Sequence, residues 1–242
     1  MTRTVEVYDT KDALVDAVAE RTAAIMSQRM LESGWCMWAL SGGSTPRDAF
    51  EKLASEPYRD RIAWNRVHVF WGDERTVPPG HEDSNYRMAR EALLDPLAIP
   101  EANIHRIEAE RGAEEAAARY ESEMKRLFES ELPRFDVVWL GMGDDGHTAS
   151  LFPGTGAVDV TGRLVIPVHV PQLDTWRVSM ALPVLNAARE VIVLVAGAEK
   201  ADMVRRVTDL SQPASDLPVS MVAPVDGTVR WMLDREAAHR LD

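Results

Sequence analysis

The chain has almost no cysteine. Among 242 residues there is one, Cys36, inside the apolar segment that runs from Trp35 to Leu40. A single thiol excludes an internal disulfide framework and any multi-cysteine metal site, and its apolar setting reads as inert packing. Long hydrophobic runs are also missing. The longest, VIVLVAGA at 191–198, is far short of the ~20 residues a membrane helix needs. The first residues, MTRTVEVYDTKDALVDAV, are charged and lack a signal-peptide core. A soluble cytoplasmic protein is the expectation. Positive charge is scarce: 27 basic residues face 39 acidic ones, a formal net charge of −12. Such a surface repels nucleic acid and anionic membrane, so neither is expected as a partner. An anionic small ligand would need a local basic cluster. There is no G-x-S-x-G elbow and no H-E-x-x-H, and the six histidines are scattered, so the usual serine hydrolase and zinc-protease patterns are absent.

What is present is an alternation of strands and helices. TVEVY reads as a strand. Residues 11–32 carry an apolar stripe at helical spacing, with Thr10 as N-cap and Gly34 as stop. WCMWAL, RVHVFW, FDVVWL and EVIVLVAG read as buried strands. SGGSTP follows the first of these, with Thr45 as cap and Pro46 in the first turn of the next helix. A helix is expected from about Ser84 to Leu94 and another over 112–130. NIHRI, RLVIPVHV, RVSMAL, LPVSMVA and VRWMLD read as further strands, PVLNAA as a helical turn, and REAAHRL as a terminal helix. Strands apolar on both faces, alternating with helices, predict a mostly parallel α/β sheet flanked by helices. We expect one α/β domain over 1–242, with a small strand-rich appendage between 155 and 182.

In open α/β sheets ligands sit beyond the C-terminal strand ends. Four such ends carry chemistry: SGGSTP, GDER, GMGDDGHTASLFP and GAEK. In the first, glycines permit close backbone approach, and a helix start with Ser44 and Thr45 offers donors to an anion. The same residues equally make an ordinary strand-to-helix turn. Lys200 is one of only four lysines, with Lys11, Lys52 and Lys125. It lies near a helix N-terminus, where the dipole disfavours a cation. It reads either as a phosphate-facing ammonium or as a solvated helix residue. Asp73, Glu74 and Arg75 open a long loop. Arg75 could meet a phosphate, and Asp73 a sugar hydroxyl or a histidine.

Gly141-Met142-Gly143-Asp144-Asp145-Gly146 spells G-x-G-x-x-G. A dinucleotide turn would place a pyrophosphate where Asp144 and Asp145 stand, and Pro153 would cut the following helix short, so that reading fails. His147 comes next. With an unperturbed pKa of ~6.5 it accepts a proton at neutral pH, and a neighbouring aspartate could orient it. A purely structural histidine fits the same spacing.

LSGGSTPRDAFEKLA, VHVFWGDERTVPPGHEDSNYRMAREALL, FDVVWLGMGDDGHTASLFPG and VIVLVAGAEKADMV, in this order, resemble the 6-phosphogluconolactonase family and span nearly the whole chain. The resemblance implies an open Rossmann-like sheet that binds no dinucleotide. It implies hydrolysis of 6-phospho-D-glucono-1,5-lactone, a small sugar-phosphate lactone, without a cofactor or metal. Carried over by motif, His147 is the general base, and Asp145 and Asp73 orient it or the sugar. Arg75 and Lys200 hold the phosphate in a pocket lined by Gly43, Ser44 and Thr45, and Arg177 is a further candidate. Glucosamine-6-phosphate deaminases resemble the chain at GxGxDGH, but they continue with an acidic residue where this chain has TASLFP. A deaminase or isomerase, or a non-catalytic sugar-phosphate sensor, are the rival readings. A monomer is expected.

Overall fold

Three strands are buried along their whole length: β2 (Cys36–Leu40), β5 (Val137–Leu140) and β8 (Glu190–Val195). A strand apolar on both faces needs neighbours on both edges and cover above and below. The computed structural model, which describes residues 2–209 and 216–241, supplies both. β1 (Thr2–Tyr8), β3 (Val67–Trp71) and β9 (Thr228–Asp234) complete a sheet of order β1-β9-β8-β5-β2-β3. Every adjacent pair in it is parallel.

The helix over 11–33 (α1) starts at Thr10, whose hydroxyl accepts from the N–H of Ala13, and ends at Gly34 in the left-handed region. Both caps match the sequence expectation. The helix over Ser44–Leu53 (α2) starts at Gly43, φ 111°, with no side-chain cap. Thr45 is therefore inside the helix rather than its cap, because the second glycine of SGGSTP takes the strained corner. Trp38, Trp139 and Phe50 lock α2 to β2 and β5, with ring centroids 4.9–5.7 Å apart. Such aromatic contacts add about 0.5–1.5 kcal/mol each beyond their burial. The free edge of β3 is closed by His105, whose N–H donates to Val69, and by the Tyr120 hydroxyl, which bridges the N–H and C=O of Trp71.

The expected appendage is a second, antiparallel sheet of order β4-β7-β6, from β6 (Val165–Val170), β7 (Thr175–Met180) and β4 (Asp73–Arg75). GDER is thus not a loop. Gly72 donates to Leu40 of the large sheet and accepts from Met180 of the small one, so one strand passes directly between the sheets. The remaining differences are local. NIHRI contributes only an isolated bridge, Val69 to Ile104. LPVSMVA forms a 3-10 turn over Pro218–Met221, since Pro218 removes a ladder donor. REAAHRL makes turns rather than a helix, following Asp234, whose carboxylate accepts from the N–H of Ala237. Among the described residues no helix is long and apolar enough to cross a membrane.

Candidate active site

The chain runs outward from β2 to β3, then returns to the other side of β2 to form β5. That reversal makes the crevice between the C-terminal ends of β2 and β5 the natural ligand position. A cleft of about 380 Å³ lies there. It gathers the strand-end segments singled out in the sequence: Gly43, Ser44 and Thr45 after β2, Asp73 and Arg75 in β4, His147 after β5, and Lys200 after β8, joined by Arg177 from β7. Asp145 does not line the cleft but bonds the histidine that does.

Asp145 Oδ1 accepts from the backbone N–H of His147 at 3.0 Å and meets ring Nδ1 at 2.6 Å. Burial works against ionising Asp145, but the His147 N–H and ring outweigh it and hold the carboxyl below its usual range. An ionised carboxylate only accepts, so Nδ1 carries a proton, and in the neutral ring Nε2 then keeps its lone pair. That is the tautomer a proton acceptor requires. Gly143 leaves the room: a Cβ there would stand 2.1 Å from Nδ1. The ring also stacks on Phe152, centroids 4.0 Å apart at 24°.

Asp73 is buried at the cleft wall and bonds groups other than His147. Its Oδ2 accepts from the Ser150 hydroxyl at 2.6 Å, and Asn85 Nδ2 donates to its backbone carbonyl at 3.0 Å. Of the two aspartates considered for orienting His147, Asp145 is the one in contact. Asn85 in turn fits against Gly42, where a Cβ would stand 2.0 Å from its Oδ1.

Arg75 and Arg177 are direct partners across the antiparallel β4–β7 pair. Like charges directly opposite each other are destabilising in a ladder. Arg75 donates through Nη1 to the carbonyl of Asp83 at 2.7 Å, yet the Nε of each arginine is buried without a hydrogen-bond partner. Burial pushes the affinity of Arg177 for its proton down, opposed by the charge of Asp73. Two paired guanidinium groups with unmet donors at a cleft wall suit an anion. Glu74, the residue before Arg75 in β4 and opposite Val178, faces away. It accepts from the N–H groups of Arg75, Asn85 and Tyr86 at 2.8 Å each, fixing the turn that carries Arg75 to the next helix.

Lys200 lines the same cleft. It sits after Gly197, whose N–H donates to the Asp234 carboxylate at 3.1 Å, and its ammonium pairs with Asp144. α2 also begins at this cleft, with no side chain on its first N–H groups, Ser44 and Thr45.

Sequence reasoning missed four participants: Ser150 and Asn85, which hold Asp73; Phe152, which stacks on His147; and Asp144, which pairs with Lys200. Ser150 and Phe152 stand in the segment TASLFP and Asn85 in SNY. Their partners are far away in the chain or across a turn, so spacing alone gave no signal.

Comparison with known proteins gives a consistent picture. Residues 9–231 match the family described as glucosamine-6-phosphate isomerases/6-phosphogluconolactonase. A protein of Synechocystis sp. named 6-phosphogluconolactonase is 40% identical over 242 residues, covering 98% of each chain. One of the same name from Nostoc sp. is 39% identical, covering 100% of this chain and 99% of its own. The crystal structure of 6-phosphogluconolactonase from Leishmania guyanensis superposes over 100% of both chains with a TM-score of 0.89 at 29% identity.

Proposed function

The chain belongs to the glucosamine-6-phosphate isomerase/6-phosphogluconolactonase family, and on that footing we propose that it hydrolyses 6-phospho-D-glucono-1,5-lactone to 6-phospho-D-gluconate in the oxidative pentose phosphate pathway. The observation that carries this reading is the meeting, in one cleft, of an aspartate-oriented imidazole with buried guanidinium donors that lack partners. About 380 Å³ suits a sugar phosphate.

In this mechanism His147 Nε2 takes a proton from water as the water oxygen attacks the lactone carbonyl. Asp145 holds Nδ1–H and steadies the imidazolium. Negative charge gathers on the carbonyl oxygen, where backbone N–H groups of the glycine loops serve as donors. The tetrahedral intermediate then expels the ring oxygen, which receives the proton from His147. Arg75, Arg177 and Lys200 bind the phosphate, with Gly43, Ser44 and Thr45 lining that end. Charged hydrogen bonds of ~1.5–3 kcal/mol each at this remote group fix the ring in register. Asp73, pinned by Ser150, faces a sugar hydroxyl.

No carboxylate follows His147 before Asp159, which argues against the deaminase alternative. Chemically, the reading requires neither metal nor cofactor; we further propose that the protein is a cytoplasmic monomer. The test is proton release from freshly generated lactone, corrected for spontaneous opening, with ammonia release from glucosamine 6-phosphate measured in parallel. Lactone opening no faster than the uncatalysed rate would refute it, and analytical ultracentrifugation checks the monomer.

A further inference from the structure

Phe152 touches both the imidazole and one guanidinium of the cleft. Its ring stacks on His147, and the guanidinium carbon of Arg177 lies 5.5 Å from its centroid. The chain goes out of its way to put it there. After His147 it turns back on itself, Leu151 N–H donating to Thr148 at 2.9 Å, and Ala149 adopts φ 46°. That left-handed conformation is costly for an L-residue and free only for glycine. The turn is tied down on three sides: Thr148 to Gly141 at 2.8 Å, Ser150 to Asp73 at 2.6 Å, and Ser150 N–H to Ser179 at 3.2 Å. Backbone strain beside a cleft points to a constraint worth holding.

We propose that Phe152 is a positioning residue that couples the proton-accepting face of the site to its anion-facing face. It fixes the His147 ring from above while steadying the Arg177 guanidinium. The proposal rests on the roles given to those two residues in the preceding section. Asp145 constrains the imidazole only at Nδ1 and Gly143 only along one edge; the stacked ring removes the remaining rotation. An aromatic face also attracts cations. It therefore favours both the imidazolium formed when His147 takes a proton and the desolvated Arg177. A carboxylate in its place would do the same electrostatically, but it would compete with the substrate phosphate for Arg177 and repel it.

The other charged groups around His147 are Asp145 and Asp144 on its own loop and Arg177 from β7. Asp73 and Arg75 come from β4, and Glu199 and Lys200 follow β8. Phe152→Leu leaves all of them in place, so its effect reports the ring.

The experiment compares Phe152→Leu and Phe152→Tyr with the unaltered protein. For Phe152→Leu, kcat is expected to fall roughly 10- to 100-fold, the scale set by small misplacements of a reacting group. The acid limb of the kcat profile should move to lower pH by roughly half a unit, the worth of one exposed cation–π contact. 6-Phosphogluconate should bind several-fold more weakly. Phe152→Tyr keeps the ring and should restore all three. Where leucine prevents folding, Phe152→Met fills the space without a ring and reads the same quantities. NMR titration of the His147 ring follows the coupling without turnover. A His147 titration that does not move in the leucine or methionine variant overturns the proposal whatever substrate the cleft takes, and so does a tyrosine variant no better than leucine. Absence of lactonase activity in the unaltered protein would instead strike the functional reading.

Discussion

Gly143 and His147 are in such close contact that a methyl group on the first would occupy the place of the second. A Cβ at 143 would stand 2.1 Å from Nδ1 and 2.2 Å from Cε1 of the imidazole, and 2.8 Å from Asp145 Oδ1. Gly143→Ala should therefore push the ring off its aspartate while leaving the buried strand before it intact. We expect kcat to drop about 100-fold or more, with an unchanged far-ultraviolet spectrum and nearly unchanged Tm. A fully active alanine variant would show that the ring's seat does not matter to turnover.

His147→Ala should lower kcat by about 10²–10⁴-fold, the usual worth of a general base, with 6-phosphogluconate affinity close to that of the unaltered protein. The acid limb carries a further signature. The His147 contacts hold the Asp145 carboxyl below its usual range against the opposing effect of burial. The carboxylate therefore stays charged while the imidazole protonates. One proton governs the loss of activity, and log kcat should fall with a slope of one. A slope of two would mean that Asp145 titrates with it.

Lys200 and Asp144 form an ion pair across the cleft wall. A substrate phosphate has to take the ammonium from that carboxylate. Lys200→Ala should raise KM by roughly 10- to 150-fold, one charged hydrogen bond of ~1.5–3 kcal/mol, with a smaller change in kcat. Asp144→Asn frees the ammonium and should tighten binding of inorganic phosphate and product. Calorimetry decides it: equal affinities in all three proteins would remove Lys200 from the phosphate site.

Much of this was legible in the sequence, and the reasons are specific. α1 announced itself through Thr10, Gly34 and the stripe between them, because caps and periodicity are local. His147 and Asp145 are two residues apart, so the sequence offered their pairing, but it offered Asp73 as well, and only the fold decides between them. Asp73–Ser150 is different. Its partners are 77 residues apart and meet only because β4 and the turn after His147 converge on the same wall. The assignment of GDER to a loop failed for a related reason. Three charged residues look solvated, and nothing nearby says that β7 will pair with them. LPVSMVA failed because Pro218 removes a ladder donor, and REAAHRL because its buried residues, Ala237 and Ala238, sit in consecutive turns.

A separate cluster offers a prediction about stability. His68 Nδ1 lies 3.0 Å from His105 Nε2, and His105 Nδ1 lies 2.9 Å from Glu123, linking β3 to the helix over Ala113–Phe128. Burial, then the neighbouring His105, lowers the pKa of His68 in the folded chain. A histidine held neutral by the fold contributes its full share of stability above its unfolded pKa and loses it as pH falls. Tm should therefore decline from about pH 7 towards about pH 5. His68→Gln should flatten that decline while leaving lactone turnover unchanged. Parallel Tm–pH curves for the two proteins would exclude His68 as the source.

Gly72 belongs to both hydrogen-bonded layers at once, with Leu40 on one side and Met180 on the other. Three residues beyond it stands Arg75, and opposite Arg75 stands Arg177. The two sheets are therefore continuous through this peptide, and the small one is also tied to the turn after His147 by Ser150 and to the helix over Ala113–Phe128 by Glu121. Both guanidinium groups are thus carried on one braced wall, whose place relative to the imidazole sets the reach between the two ends of whatever occupies the crevice.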